Sequence, residues 1–254
     1  MTTQVTIRRR YCGPPDSGNG GYVCGLMARS LGGGRVEVRL LAPPPLERPL
    51  TLRQGRHEGT LLDGETPIAI ARKTAEPVAI PAAAPQPVGF ETAVESAAAF
   101  DTEAYRAGHE YPGCFTCGPD RDEGDGLRLF PGATDRSDHY IWPWRPHPSL
   151  FDNSGELDAT ILWAALDCPS GQAWLRQEPH MDPIVLGTMA ATIHRTPTPD
   201  ERLVVAGWTE QAHGRRRPAR SAIYSHDGEL LATAQATWIV LTAEQRHAFR
   251  ATRP

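Results

Sequence analysis

Apolar residues follow helical spacing in two stretches of the chain. The first, GGYVCGLMARSL, begins directly after Asn19 and is followed by further glycines. The second lies within 154–171, SGELDATILWAALDCPSG, where one helical face carries Ile161, Leu162, Ala165 and Leu166. Both stretches contain few charged residues, which predicts helices that are buried on most sides.

Alternating apolar and polar residues surround each helix and predict β-strands. In the first half the strand segments are QVTIRRRY before the helix and RVEVRLLA, LTLRQGR and GTLLDGETPIAIARKT after it. In the second half they are DHYIWPW before the helix and VLGTMAATIHR, RLVVAGWTEQAHGRR and ARSAIYSHDGELLATAQATWIVL after it. Each half contains an Asp-Gly hairpin and a Pro-rich break, so one supersecondary unit is used twice.

The repeat divides the chain into two units joined by a linker. We predict an N-terminal unit at 1–75, a Pro/Ala-rich linker at 76–104 and a C-terminal unit at 105–254. The segment ETAVESAAAFDTEAYRAG, which spans the end of the linker, predicts a short helix. The two long helices align without gaps, and this alignment sets Asn19 opposite Asp158 and Ala28 opposite Asp167.

Composition adds limits on the class of protein. The chain has 254 residues, of which 40% are hydrophobic and 22% charged, and its net charge is −4. These values are typical of a globular protein and give no electrostatic reason to expect a nucleic-acid partner. Because no apolar run reaches the ~20 residues that span a bilayer and no signal core is evident, we expect a cytoplasmic protein without membrane contact.

Both helix motifs resemble those of a known superfamily. GNGGYVCGLMARSLGGG and ILWAALDCPSG are similar to the loop-to-helix signature of hotdog-fold acyl-CoA thioesterases, in a tandem arrangement. The segment PGCFTCGPDRDEGDGLRLFPG resembles a segment of uncharacterised thioesterase-like proteins of actinobacterial type. The resemblance implies an α+β fold of two fused hotdog units (a double hotdog), each an antiparallel sheet wrapped around a central helix.

The resemblance also implies an enzyme that hydrolyses an acyl-CoA or related acyl thioester without a metal or cofactor. Asp167 matches the acidic helix residue that serves as general base or nucleophile. Asn19, Gly20 and Gly21 would stabilise the oxyanion, because amides at a helix N-terminus are unpaired and carry the positive end of the helix dipole. The alternatives for these residues are a plain capped helix and a carboxylate that caps a neighbouring loop.

The two halves differ at the residues that matter for this chemistry. The first half has the glycines but carries Ala28 at the acidic position, and the second has Asp167 but LDAT in place of the glycines. We therefore expect one composite active site between the units, formed by Asp167 and the Asn19–Gly21 loop. Its mirror image, marked by Ala28 and Asp158, would be inactive. Asp158 itself is interpreted as a residue that complements the helix dipole.

Further candidates for substrate binding lie near the second helix. Arg215, Arg216 and Arg217 could bind the phosphates of coenzyme A, with a solvated strand edge as the alternative. Ser170 and Gly171 are assigned to the substrate as well. Four tryptophans around this helix could line an acyl pocket or belong to the core, and the sequence leaves both open: Trp142, Trp144, Trp163 and Trp174.

The CxxC pair formed by Cys114 and Cys117 is interpreted as two packed thiols in a tight turn. The chain has five cysteines but no second CxxC. Because a structural zinc site needs four ligands, we predict no bound metal.

Two rival functions remain at this point. One is an acyl-thioester hydratase or dehydratase on the same fold, although neither helix motif holds a histidine. The other is a double hotdog that binds an acyl or coenzyme A group without catalysis. The expected partner in each case is an acyl-CoA or acyl-carrier thioester, with association into a homodimer left open.

Overall fold

The computed structural model describes residues 1–132 and 139–246. Asp138, the first residue of a predicted strand, and residues 247–254 of the predicted second unit lie outside the described residues. The strands are β1 (Thr2–Thr6), β2 (Val36–Leu40), β3 (Pro49–Gln54), β4 (Glu58–Asp63), β5 (Thr66–Lys73), β6 (His139–Trp144), β7 (Ile184–Ile193), β8 (Leu203–Thr209), β9 (Arg216–Ser225) and β10 (Leu230–Val240). The α-helices are α1 (Gly20–Ser30), α2 (Phe90–Ala98), α3 (Thr102–Gly108) and α4 (Ala159–Gln177).

The strands form one antiparallel sheet in which the same arrangement occurs twice. Their order is β1-β3-β4-β5-β2-β7-β10-β9-β8-β6, so the second half repeats the first in reverse. The halves meet where β2 pairs with β7, with Val36 opposite Ala191 and Arg39 opposite Thr188. The predicted repeat is confirmed, and hydrogen bonds across this pair make the sheet continuous.

The helices α1 and α4 begin at equivalent positions of the repeat. The Asn19 side chain caps α1 by accepting from the Tyr22 amide, and the Asp158 side chain caps α4 by accepting from the Thr160 amide. The predicted alignment of Asn19 with Asp158 is therefore confirmed. α4 is buried on nearly all sides from Thr160 to Trp174 and runs past Pro169 to Gln177, further than the sequence pattern indicates.

The segment between the two halves is extended first and helical afterwards. Residues 75–89 contain no helix or strand, and two short helices, α2 and α3, replace the single helix expected there. Phe90 and Ala93 of α2 pack against Val204 of β8. The predicted domain boundaries stay a prediction, and the structure adds that part of the predicted linker packs on the second half.

Helices α1 and α4 cross in close contact at the centre of the molecule. An added Cβ at Gly21 would lie 2.5 Å from the Trp163 carbonyl oxygen, and one at Gly25 would lie 2.8 Å from Thr160 Cα. The two helices therefore pack almost backbone to backbone. In the part of the chain that the structure describes, no helix combines the length and the apolarity that a bilayer crossing requires.

We expect Gly25→Ala to destabilise the fold by about 1–3 kcal/mol, since the new methyl group must push the two helices apart. Gly108→Ala is the matched control, because a Cβ at that position meets nothing within 4 Å. Urea unfolding of both variants gives the comparison. Equal urea midpoints for Gly25→Ala and Gly108→Ala would show that α1 and α4 leave room for a methyl group at Gly25.

Candidate active site

Asp167 is a buried carboxylate at the helix crossing. Its side chain is 2% exposed. One oxygen, Oδ2, accepts hydrogen bonds from the Gly21 amide at 2.9 Å and from Asn19 Nδ2 at 3.0 Å. The other, Oδ1, is buried and has no hydrogen-bond partner among the described residues. Burial raises the pKa of Asp167 to about 7, although the Gly21 and Asn19 hydrogen bonds oppose this shift.

Asn19 connects the start of α1 to Asp167 and to the CxxC turn. Its Oδ1 accepts from the Tyr22 amide at 2.9 Å, which fixes the orientation of the side-chain amide. Its Nδ2 then donates to Asp167 and, at 3.3 Å, to Thr116 Oγ1. Thr116 in turn donates to the Ala164 carbonyl of α4 at 2.9 Å. The hydrogen-bonding capacity of the Asn19 side chain is therefore used within the protein.

The two glycines of the predicted oxyanion loop have different roles. The Gly21 amide donates to Asp167, because the tight helix crossing brings the carboxylate and this loop into direct contact. The Gly20 amide donates to no acceptor within the described ranges and lies on the wall of a cavity. Of the two, Gly20 is the amide that remains available to a ligand.

This cavity has a volume of about 820 Å³ and lies between the two halves. Its polar wall includes Asn19, Gly20 and Asp167. Its apolar wall is formed by side chains from both halves, among them Leu40, Leu186, Trp238 and Ile239. A cavity of this size and lining can hold a small acyl group beside a carboxylate and a free helix amide.

The predicted phosphate-binding residues Arg215, Arg216 and Arg217 do not line this cavity. Arg217 pairs with Glu178 at 3.0 Å, and Arg215 donates at 3.0 Å to Gln245, which itself lines the cavity. Arg216 is exposed. Their contact with coenzyme A phosphates stays a prediction.

Ser170 and Gly171 lie on either side of the boundary between core and cavity. Ser170 is fully buried; its Oγ donates to the Asp167 carbonyl at 2.8 Å and accepts from Trp238 Nε1 at 2.8 Å. Gly171 lines the cavity against the Trp238 ring. Trp144, Trp163 and Trp174 belong to the core, and Trp142 packs against it. Trp238, which the sequence did not single out, is the tryptophan on the cavity wall.

The CxxC pair has a third thiol beside it. The sulfurs of Cys114, Cys117 and Cys168 lie within 4.8 Å of one another, and all three residues line the cavity. Hydrogen bonds from the Cys117 and Cys168 thiols lower the pKa of Cys114 well below its usual value. The pKa values of Cys117 and Cys168 are raised, first by their hydrogen bonds to Cys114. The prediction of no bound metal counted only the two thiols of the CxxC pair. In the structure Cys168 of α4 adds a third thiol to them.

Comparison with known proteins identifies the fold. Neither a family model nor a curated protein matches the sequence. Among solved structures, the tesB protein of Mycobacterium avium subsp. paratuberculosis is 13% identical with a TM-score of 0.59, covering 95% of this chain and 93% of that one. Acyl-CoA thioesterase II TesB2 of Mycobacterium marinum is 14% identical with a TM-score of 0.56, covering 94% and 93%.

A third similar structure is a protein of unknown function with a hotdog fold from Alicyclobacillus acidocaldarius, 13% identical with a TM-score of 0.52, covering 95% and 93%. At sequence identities this low, the structural similarity establishes the fold alone. The chain is an α+β double hotdog, as predicted, and its expected resemblance to hotdog thioesterases is confirmed at that level.

The two N-caps offer a matched test of the Asp167 contacts. Asn19→Ala and Asp158→Ala each remove a cap worth about 0.5–2 kcal/mol. Only Asn19→Ala also removes a hydrogen bond to a buried carboxylate, which adds about 1–3 kcal/mol. We expect Asn19→Ala to be the more destabilising by that margin in urea unfolding. Asp158→Ala also loses an exposed ion pair with Arg29, worth about 0–1 kcal/mol, so a loss for Asn19→Ala that does not exceed that of Asp158→Ala would contradict this expectation.

Proposed function

We propose that the chain hydrolyses an acyl-CoA or a related acyl thioester in the cavity between its two halves. The observation that carries this proposal is Asp167, a buried carboxylate with one unpartnered oxygen, on a cavity wall that also holds the free Gly20 amide. A buried carboxylate is costly for stability, and such groups concentrate at functional sites. Similarity of fold to structures named as thioesterases supports the same reaction class.

In the proposed reaction Asp167 acts as the general base. It takes a proton from a water molecule while the water oxygen attacks the thioester carbonyl. The resulting oxyanion accepts a hydrogen bond from the Gly20 amide, at the positive end of the α1 dipole. Cleavage of the carbon–sulfur bond then releases the thiolate, which receives the proton held by Asp167. The products are one carboxylic acid and one thiol.

The geometry favours Gly20 over Gly21 as the oxyanion donor. Gly21 already donates to Asp167 Oδ2, and this bond orients the carboxylate. Asn19 likewise positions Asp167 and has no further donor to offer. The proposed roles are therefore general base for Asp167, oxyanion donor for Gly20, and positioning residues for Asn19 and Gly21.

A hydratase or dehydratase acting on an acyl thioester is the second candidate. His109, which lies outside both helix motifs, lines the same cavity as Asp167. A histidine and a carboxylate on one cavity wall could share the proton transfers that such a reaction needs. Product analysis separates the two, because hydrolysis yields free thiol and dehydration yields an enoyl thioester.

Asp167→Asn should lower turnover of a panel of acyl-CoA substrates by about 10²–10⁴-fold, because the amide cannot accept the proton. Its amide oxygen can still accept from the Gly21 amide, so the fold and ligand binding should survive. The control is Asp158→Asn at the equivalent helix start, where asparagine remains a good cap and no loss is expected. Unchanged thiol release by Asp167→Asn would reject this site.

The role of the Gly20 amide can be tested with two substitutions at one position. Gly20→Pro removes the N–H, and proline suits the first residue of a helix. Gly20→Ala keeps the N–H and reports the crowding, since its Cβ would meet Leu186 Cδ2 at 2.9 Å. We expect kcat of the proline variant to fall roughly 10²–10³-fold below that of the alanine variant. Equal kcat values would remove Gly20 from the oxyanion site.

A further inference from the structure

The three clustered thiols have the spacing of a metal site. In a tetrahedral zinc centre, Zn–S bonds of about 2.3 Å place neighbouring sulfurs about 3.8 Å apart. The sulfurs of Cys114 and Cys168 are 3.7 Å apart, and the Cys117 sulfur lies within 4.8 Å of both. Cys114 and Cys117 come from one turn, whereas Cys168 comes from α4, more than fifty residues later in the chain. The sulfurs therefore converge through tertiary folding.

The turn that carries Cys114 and Cys117 is built tightly around the first sulfur. The Gly118 amide donates to the Cys114 carbonyl at 2.8 Å. A Cβ at Gly118 would lie 2.4 Å from that same carbonyl oxygen, so this position must be glycine. The sequence CFTCG thus folds back on itself and brings the two sulfurs to the same side.

Polar groups from two segments lie beside the sulfurs. Asn19 Nδ2 lies 3.8 Å from the Cys114 sulfur and 4.0 Å from the Cys168 sulfur, but both of its hydrogens are taken by Asp167 and Thr116. His109 Nε2 lies 3.4 Å from the Cys117 sulfur. Because His109 Nδ1 accepts from the Tyr111 amide at 3.0 Å, a neutral His109 ring carries its proton on Nε2. His109 is therefore a donor to the sulfur. Donors of this kind orient thiolate ligands of metals.

We propose that Cys114, Cys117 and Cys168 bind one zinc ion as thiolates, with a water molecule from the cavity as the fourth ligand. Binding forms three zinc–sulfur bonds, and each thiol that is protonated beforehand loses its sulfur–hydrogen bond and releases that proton to solvent. Zinc is the metal that soft sulfur ligands in tetrahedral geometry favour. The charge of the zinc ion would stabilise the three thiolates, which this buried site does not favour in the absence of a cation. The ion clamps the CxxC turn to α4, beside Asp167.

This inference replaces the sequence-based prediction of no metal and does not rest on the proposed function. The test measures zinc by mass spectrometry in full-length protein that was produced with added zinc and purified without chelators. We expect about one zinc per chain. Cys114→Ser, Cys117→Ser and Cys168→Ser should each lose it. Cys24→Ser, at a buried cysteine outside the cluster, should keep it.

A second measurement uses only the wild-type chain, in case the serine variants fail to fold. Replacement of zinc by Co²⁺ should produce thiolate-to-cobalt charge-transfer absorption and the intense visible bands of a tetrahedral site. Removal of the metal by a chelator should lower the melting temperature, and zinc should restore it. Protein that holds no zinc and gives no cobalt spectrum would overturn the proposal. So would zinc that all three serine variants retain, or a disulfide between any two of these cysteines.

Discussion

The burial of one carboxylate at a helix crossing is the constraint on which the centre of this structure depends. Asp167 can remain in a nearly water-free position because the Gly21 amide and the Asn19 side chain donate to the same oxygen. Those contacts require α1 and α4 to approach almost backbone to backbone. A side chain at Gly21 or Gly25 would prevent that approach. The glycines Gly21 and Gly25 thus serve helix packing first.

The constraint also explains why the two halves have diverged at the crossing. Asn19 and Asp158 both cap a helix at equivalent positions. The acidic position of the first half holds Ala28, which is buried and needs no polar partner. At the start of α4, Thr160 stands at the position equivalent to Gly21. The residue of α1 that is equivalent to Asp167 is Ala28, so no carboxylate there needs the Thr160 amide.

The segment between α3 and β6 completes this centre from a third direction. Its CxxC turn brings Thr116 into contact with Asn19 and with the Ala164 carbonyl. It also sets Cys114 beside Cys168, the neighbour of Asp167 in α4. Three separate segments of chain thus fix one carboxylate, and each of them reaches the cavity. A metal ion at the thiols would hold the same arrangement without any change in the sheet.

The sequence by itself determined the repeat, the strands, the starts of the two long helices and the alignment of Asn19 with Asp158. Periodicity and turn residues are local, and a unit used twice doubles their signal. It also singled out Asp167, because the motif around this residue resembles the acidic helix of hotdog thioesterases. Tertiary structure alone decided that Gly21 donates to Asp167 and that Cys168 joins the CxxC turn. Such contacts depend on how closely two helices pack, and helix-packing distance leaves no periodic pattern in the chain.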